Sequence, residues 1–227
     1  VPFDINDYIS GVRYFYADSA GKMIGMPFNS SSPIMYYNVD ALEKAGVTAP
    51  KTYEEFEAVT APALMKAGYI PLAESHSPWI WVENFMSRHN LPFATNNNGY
   101  DGVDTKILVN SPEIKMHWSH VKDWLDKGWF GYYGAAWNDN QKPFEEGKVA
   151  IWMGSSGSFG GLSKLDLPFK FSATYLPYWE SVTKEPTQTF IGGASLFAMS
   201  GKSAEENKAT AAFFKYLTSP EVQYMWH

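Results

Sequence analysis

Three short runs of small hydrogen-bonding residues carry the chemistry this chain could do: Asn29-Ser30-Ser31-Ser32, Gly154-Ser155-Ser156-Gly157-Ser158 and Gly192-Gly193-Ala194-Ser195. Each offers hydroxyl, amide or backbone donors without bulky side chains to block a ligand. The first leads into the apolar, aromatic segment Pro33 to Asn38, and the second follows the apolar run Val149 to Met153. Donors placed at sheet edges in this way suit a small polar ligand, and the aromatic-rich segment between the first two runs could cover its C–H surface. The second run lacks the Gly-x-Ser-x-Gly of a nucleophile elbow and the Gly-Lys-Ser/Thr ending of a P-loop. Its Ser156-Gly157-Ser158 could open a short helix whose N–H groups attract an anion, or Ser155 could simply cap that helix.

Acid, base and metal chemistry is weaker. His117 and His120 lie three apart on an expected helix, a spacing that suits a metal, but no third ligand is near in sequence and an exposed helix face explains them better. Glu145 with Glu146, or Asp123 with Asp126, could act as the carboxylate pair of a glycoside hydrolase. Helix-surface charge accounts for both.

The elements that must position these residues alternate between strand and helix, which implies an α/β fold. Strand-like runs are Lys22 to Met26, Ile34 to Tyr37, Gly68 to Ala73, Val149 to Met153, Phe169 to Leu176 and Phe190 to Met199. Expected helices are Asp40 to Ala45, stopped by Gly46, and one from the capping box Thr52-Tyr53-Glu54-Glu55 towards Lys66, which Pro62 must kink or end. Others run over Trp79 to His89, from Ser111-Pro112 to Lys127, over Asn140 to Glu146, and over Ala204 to Leu217, with a last one from Ser219-Pro220 to His227. Val1 to Asp18 reads as loop plus a short helical turn, and Thr95 to Asp104 as a polar loop.

The 227 residues could form one large domain or two lobes, and either buries a sizeable core. Aromatic residues make up 17%; a large core explains most of that surplus, and a fraction near a cleft would suit stacking on a sugar or polyol. The net charge of −6 with scattered Lys and Arg argues against a nucleic-acid or anionic membrane surface. Without cysteine there is no disulfide, thiolate metal site or Cys nucleophile. No apolar span of about 20 residues is present, so direct membrane insertion is not expected. The chain is expected to be incomplete at both ends, since it ends inside an amphipathic helix.

Phe28 to Pro33 with Tyr36-Tyr37-Asn38, then Glu83-Asn84-Phe85, Leu91 to Ala94, Asn97 to Gly102, Ser155 to Ser158 and Ile191 to Leu196 together resemble the middle section of periplasmic glycerol-3-phosphate-binding proteins of ABC importers. These belong to the large solute-binding family that includes the maltose-binding protein. The resemblance implies a two-lobe, type II periplasmic-binding-protein fold with ligand enclosed between lobes. Residues 1–30 would belong to the first lobe and the approach to the hinge, 31–172 to the second lobe, and 173–227 would return to the first. It further implies that Ser31 and Ser155 donate to a phosphate, that Gly193 offers a backbone group, and that Trp79 packs on the glycerol carbons. Gly193 could equally be a turn or bulge, and Trp79 core. Relatives carry a second tryptophan three positions before Trp79, where this chain has His76, which could bond a hydroxyl or phosphate or leave room for a glycerophosphodiester head group. No cofactor is implied; the partner would be a membrane permease, and the location the periplasm or, lipid-anchored, the cell exterior. A sugar-binding relative and a glycoside hydrolase are the alternative functions.

Overall fold

The computed structural model describes residues 4–226; the expected loop over residues 1–3 and the helix end at His227 lie outside the described residues. Two compact units divide the chain, one from Val1–Ser30 with Ile191–His227 and the other from Ser31–Phe190.

The Ser31–Phe190 unit is built on a five-stranded sheet. Its strands are β2 (Pro33–Asn38), β3 (Ile70–Glu74), β4 (Phe130–Gly131), β5 (Val149–Ser155) and β6 (Phe171–Thr174); β1 (Met26–Ser31) precedes them. The sheet order is β4-β3-β5-β2-β6, with β3 parallel to β4 and β5, and β2 antiparallel to β5 and β6. β5 is buried along almost its whole length, as a central strand covered on both faces should be. Tyr36 and Trp152 face each other across β2 and β5 and stack at 5.1 Å, a cross-strand pair that fixes register.

Helices pack on both faces of this sheet. The helix Val39–Ala45 is capped by the Asn38 side chain and stopped by Gly46 at φ 71°. From Thr52, whose hydroxyl accepts the Glu55 N–H, the chain runs helically to Ala67. Glu55 turns to the Lys51 N–H rather than the Thr52 N–H, so only half of the capping box forms. Pro62 does not end this helix, because a π-helical stretch at Phe56–Thr60 lets the chain pass the missing donor. The longest helix of the unit, Pro112–Asp126, buries Ile114, His117, Val121 and Trp124. Expecting an exposed face at His117 was wrong: its spacing to Ile114, Val121 and Trp124 puts it in the apolar stripe.

The other unit holds the two-stranded sheet of β1 with β7 (Gly192–Leu196), and helices Ser10–Phe15, Ala204–Leu217 and Pro220–Trp226. The strand expected at Lys22 to Met26 lies further on, at β1, because the Asn29-Ser30-Ser31 run itself pairs with β7. Residues 173–190, expected to return to the first lobe, stay with the larger unit. The Trp179 N–H donates to His89 Nε2, the Ser87 hydroxyl to the Gln188 carbonyl, and the Phe190 N–H to Asn84 Oδ1.

Candidate functional site

Strand direction brings the candidate residues of the larger unit to one end of its sheet. β3, β4 and β5 finish there at Glu74, Gly131 and Ser155, and β2 begins there at Pro33, paired with Ser155. The region beyond the carboxyl ends of parallel strands is where open α/β sheets take ligands. Ser155 ends β5, Ser31 ends β1 two residues before β2 begins, His76 lies in the turn that leaves β3, and Trp79 lies in the π-helical segment Pro78–Glu83 that follows it.

The serine side of this end is closely knit. The Ser32 N–H donates to the Ser156 hydroxyl at 3.0 Å, and the Ser156 N–H to the Ser32 carbonyl at 2.8 Å. Tyr36 donates its phenol to the Ser155 carbonyl at 2.9 Å. Ser155 Oγ accepts the Gly157 N–H at 3.1 Å, so Ser155 does cap the turn Ser156–Ser158. An accepting hydroxyl still has its own proton, and among the described residues the Ser155 O–H and the Ser31 hydroxyl have no acceptor. Gly154 must be glycine, since a Cβ there would lie 2.4 Å from the Trp152 ring.

The aromatic side is set by the turn after Glu74. His76 adopts φ 63°, a left-handed conformation uncommon outside glycine, and is exposed. Its ring lies edge-on to Trp79 at 6.0 Å and nearly parallel to Trp137 at 6.3 Å. Partial burial pushes the His76 imidazole below its ordinary pKa, so the ring is neutral at pH 7. Trp137, distant in sequence, is held by the Ser75 hydroxyl, which donates to its carbonyl at 2.8 Å and accepts the Trp152 indole N–H at 3.0 Å. Asn140 secures the loop before it, accepting from the Tyr133 N–H and donating to the Gly134 carbonyl.

Glu74 is 1% exposed; burial pushes its carboxyl up to about 8, against a lowering bond from Ser77. Neither Glu74 nor Trp137 was singled out from sequence. A carboxylate closing the apolar strand Ile-Pro-Leu-Ala-Glu was a signal for the first; nothing local marked the second.

Gly193 lies in the other unit. Its φ of 132° and a virtual Cβ only 2.2 Å from the Asn29 carbonyl oxygen require glycine for the approach of β1 and β7 alone. A cavity of about 470 Å³ in that unit is lined by Tyr8, Met26, Phe28, Leu217 and Pro220 among others, and by none of the candidate residues.

The weaker candidates resolve structurally. His117 accepts the Trp179 indole N–H at Nδ1 and burial pushes it down to about 3, while His120 bonds Glu57 at 2.6 Å. No group of three metal-ligating side chains occurs among the described residues. Glu146 pairs with Lys148 and Asp126 with Lys122, as solvated surface charges do.

Residues 3–227 match the family described as bacterial extracellular solute-binding protein, and the chain belongs to that family. Among curated relatives, the sn-glycerol-3-phosphate-binding periplasmic protein UgpB of Yersinia pestis is 36% identical over 100% of this chain and 52% of its own length. UgpB of Rhizobium meliloti is 37% identical over 99% of this chain and 52% of its own. The chain therefore spans about half the length of the curated relatives it matches. Among solved structures, UgpB from Mycobacterium tuberculosis in complex with glycerophosphocholine matches with TM-score 0.74 at 21% identity, covering 96% of this chain and 53% of that one. Maltose-bound MalE3 of T. maritima matches at 0.77 and 19% identity, over 97% and 56%. These two likenesses show a shared fold.

Proposed function

We propose that this chain is part of the solute-binding component of an ABC importer that captures glycerol 3-phosphate or a glycerophosphodiester outside the cytoplasm and delivers it to a membrane permease without turning it over. The observation that carries this reading is the gathering of Ser31, Ser155, His76 and Trp79 at one sheet end, with two serine hydroxyls left free to donate. Neutral donors aimed at an anion make charge-assisted bonds stronger than ordinary ones. Trp79 would cover the glycerol carbons. Gly193 has a structural reason to be glycine, and its role as a ligand contact rests on resemblance to the family. The relatives' stated ligand supports the phosphate, and among the described residues no helix is long and apolar enough to cross a membrane.

Calorimetric titration of the full-length protein with glycerol 3-phosphate, glycerophosphocholine and maltose tests this. Binding of the phosphate compounds is expected; binding of maltose alone would overturn the reading in favour of a sugar-binding relative. A chromogenic glycoside should not be turned over.

A further inference from the structure

The indole N–H of Trp79 is buried and has no partner among the described residues, while the backbone of the same residue is fully held. Its N–H donates to the His76 carbonyl at 2.8 Å, and its carbonyl accepts the Asn84 N–H in the π-helical pattern of Pro78–Glu83. π-Helical turns are rare and collect at functional sites. The Trp79 carbonyl takes a second bond from the same residue, Asn84 Nδ2, at 3.0 Å. Asn84 is fully buried, and the other end of its amide, Oδ1, accepts the Phe190 N–H at 2.9 Å. Phe190 is the last residue of the Ser31–Phe190 unit, after which the chain passes into the other unit. The residues just before it run along the helix Asn84–Arg88: the Thr187 N–H donates to the Arg88 carbonyl and the Ser87 hydroxyl to the Gln188 carbonyl. Of these fastenings, that of Asn84 also reaches the candidate site.

We propose that Asn84 is a positioning residue of the ligand site: its buried amide sets Trp79 through the backbone carbonyl and couples it to the segment by which the chain leaves the unit. The inference rests on the glycerol-phosphate reading, in which Trp79 meets the ligand. The residue type follows from the two partners. A carbonyl needs a donor and an N–H needs an acceptor, so a carboxamide serves both, and the same amide flipped would serve neither. A ligand pressing on the indole moves the Trp79 backbone, and the amide leaves little slack for that movement. Bonds of 2.9 and 3.0 Å are lost once stretched past about 3.5 Å, so a shift of about half an ångström must carry Phe190 along or strand a buried polar group. The second outcome is the costly one. Occupancy at Trp79 is thereby felt at Phe190 through one side chain.

The test is a double-substitution cycle in the full-length protein, with glycerol 3-phosphate affinity read by calorimetry and folding by circular dichroism. Asn84→Leu keeps the shape of the side chain and removes both bonds, so it should weaken binding by about tenfold. Trp79→Ala should weaken it as well. Because Asn84 acts through Trp79, the double variant should bind no worse than Trp79→Ala, to within about threefold. Losses that multiply in the double variant, or an unchanged affinity in either folded single variant, would overturn the positioning role and leave the glycerol-phosphate reading standing. The unaltered protein gives a second readout that needs no variant to fold. Hydrogen exchange of the Phe190 amide should slow by at least about tenfold when glycerol 3-phosphate binds, and an unchanged rate would overturn the coupling. Failure of both glycerol 3-phosphate and glycerophosphocholine to bind the unaltered protein would overturn the reading itself, and the inference with it.

Discussion

Trp81, Trp124 and Trp152 are sealed from solvent in the Ser31–Phe190 unit, whereas Phe213, Tyr216 and Tyr224 of the other unit are 54%, 59% and 87% exposed. Both units are rich in aromatics, so composition does not separate them. The larger unit closes a sheet between two layers of helix and finds partners inside its core for polar side chains such as His89, which lies between the Phe85 carbonyl and the Trp179 N–H. The smaller unit has a two-stranded sheet, and none of the residues of Ala204–Leu217 is buried. An aromatic-rich sequence becomes a core only when enough elements meet around it.

The largest test of that contrast is mutational. Trp124→Ala should destabilise the larger unit by about 3–5 kcal/mol, and Phe213→Ala should change stability by less than about 0.5 kcal/mol. Chemical denaturation followed by circular dichroism measures both, and equal effects would break the comparison. Exposed apolar surface on the smaller unit should also make the 227-residue chain self-associate in analytical ultracentrifugation, and replacing Tyr224 and Met225 by serine should reduce this.

Acid should strike the larger unit selectively. Burial pushes His89 down to about 4 and His117 to about 3, so both are neutral when folded. The unfolded chain takes up these protons near pH 6.5, so stability is full above that pH and falls by several kcal/mol as pH drops towards 4 and 3. A flat pH profile between 6.5 and 4 would show that the two imidazoles are not sealed in.

Glu74 gives a smaller effect of opposite sense. Its folded pKa, about 8, lies above the unfolded value, so its cost to stability grows as pH rises from about 4.5 to 8. Glu74→Gln should therefore raise stability at pH 8 by on the order of 2 kcal/mol, and thermal melts that show no gain would remove the buried acid from the account.

Much of the fold was legible from local signals. Asn38 and Gly46 bound their helix, Ser111-Pro112 began the longest helix of its unit, and the apolar run from Val149 became the central strand. What failed depended on partners remote in sequence. β1 is a strand because β7 lies beside it, and residues 173–190 stay with the larger unit because Arg88, Ser87, His89 and Asn84 fasten them there. The serine runs could be named from sequence because small donors cluster in short stretches. Trp137 could not, because only the fold brings it within 6.3 Å of His76.

The central claim, that the sheet end holding Ser31 and Ser155 receives the phosphate, is tested most directly by titrating Ser155→Ala in the full-length protein with glycerol 3-phosphate. Loss of one charge-assisted bond should weaken binding by about 1–3 kcal/mol, with the fold intact by circular dichroism. An unchanged affinity would contradict the claim and move the ligand elsewhere.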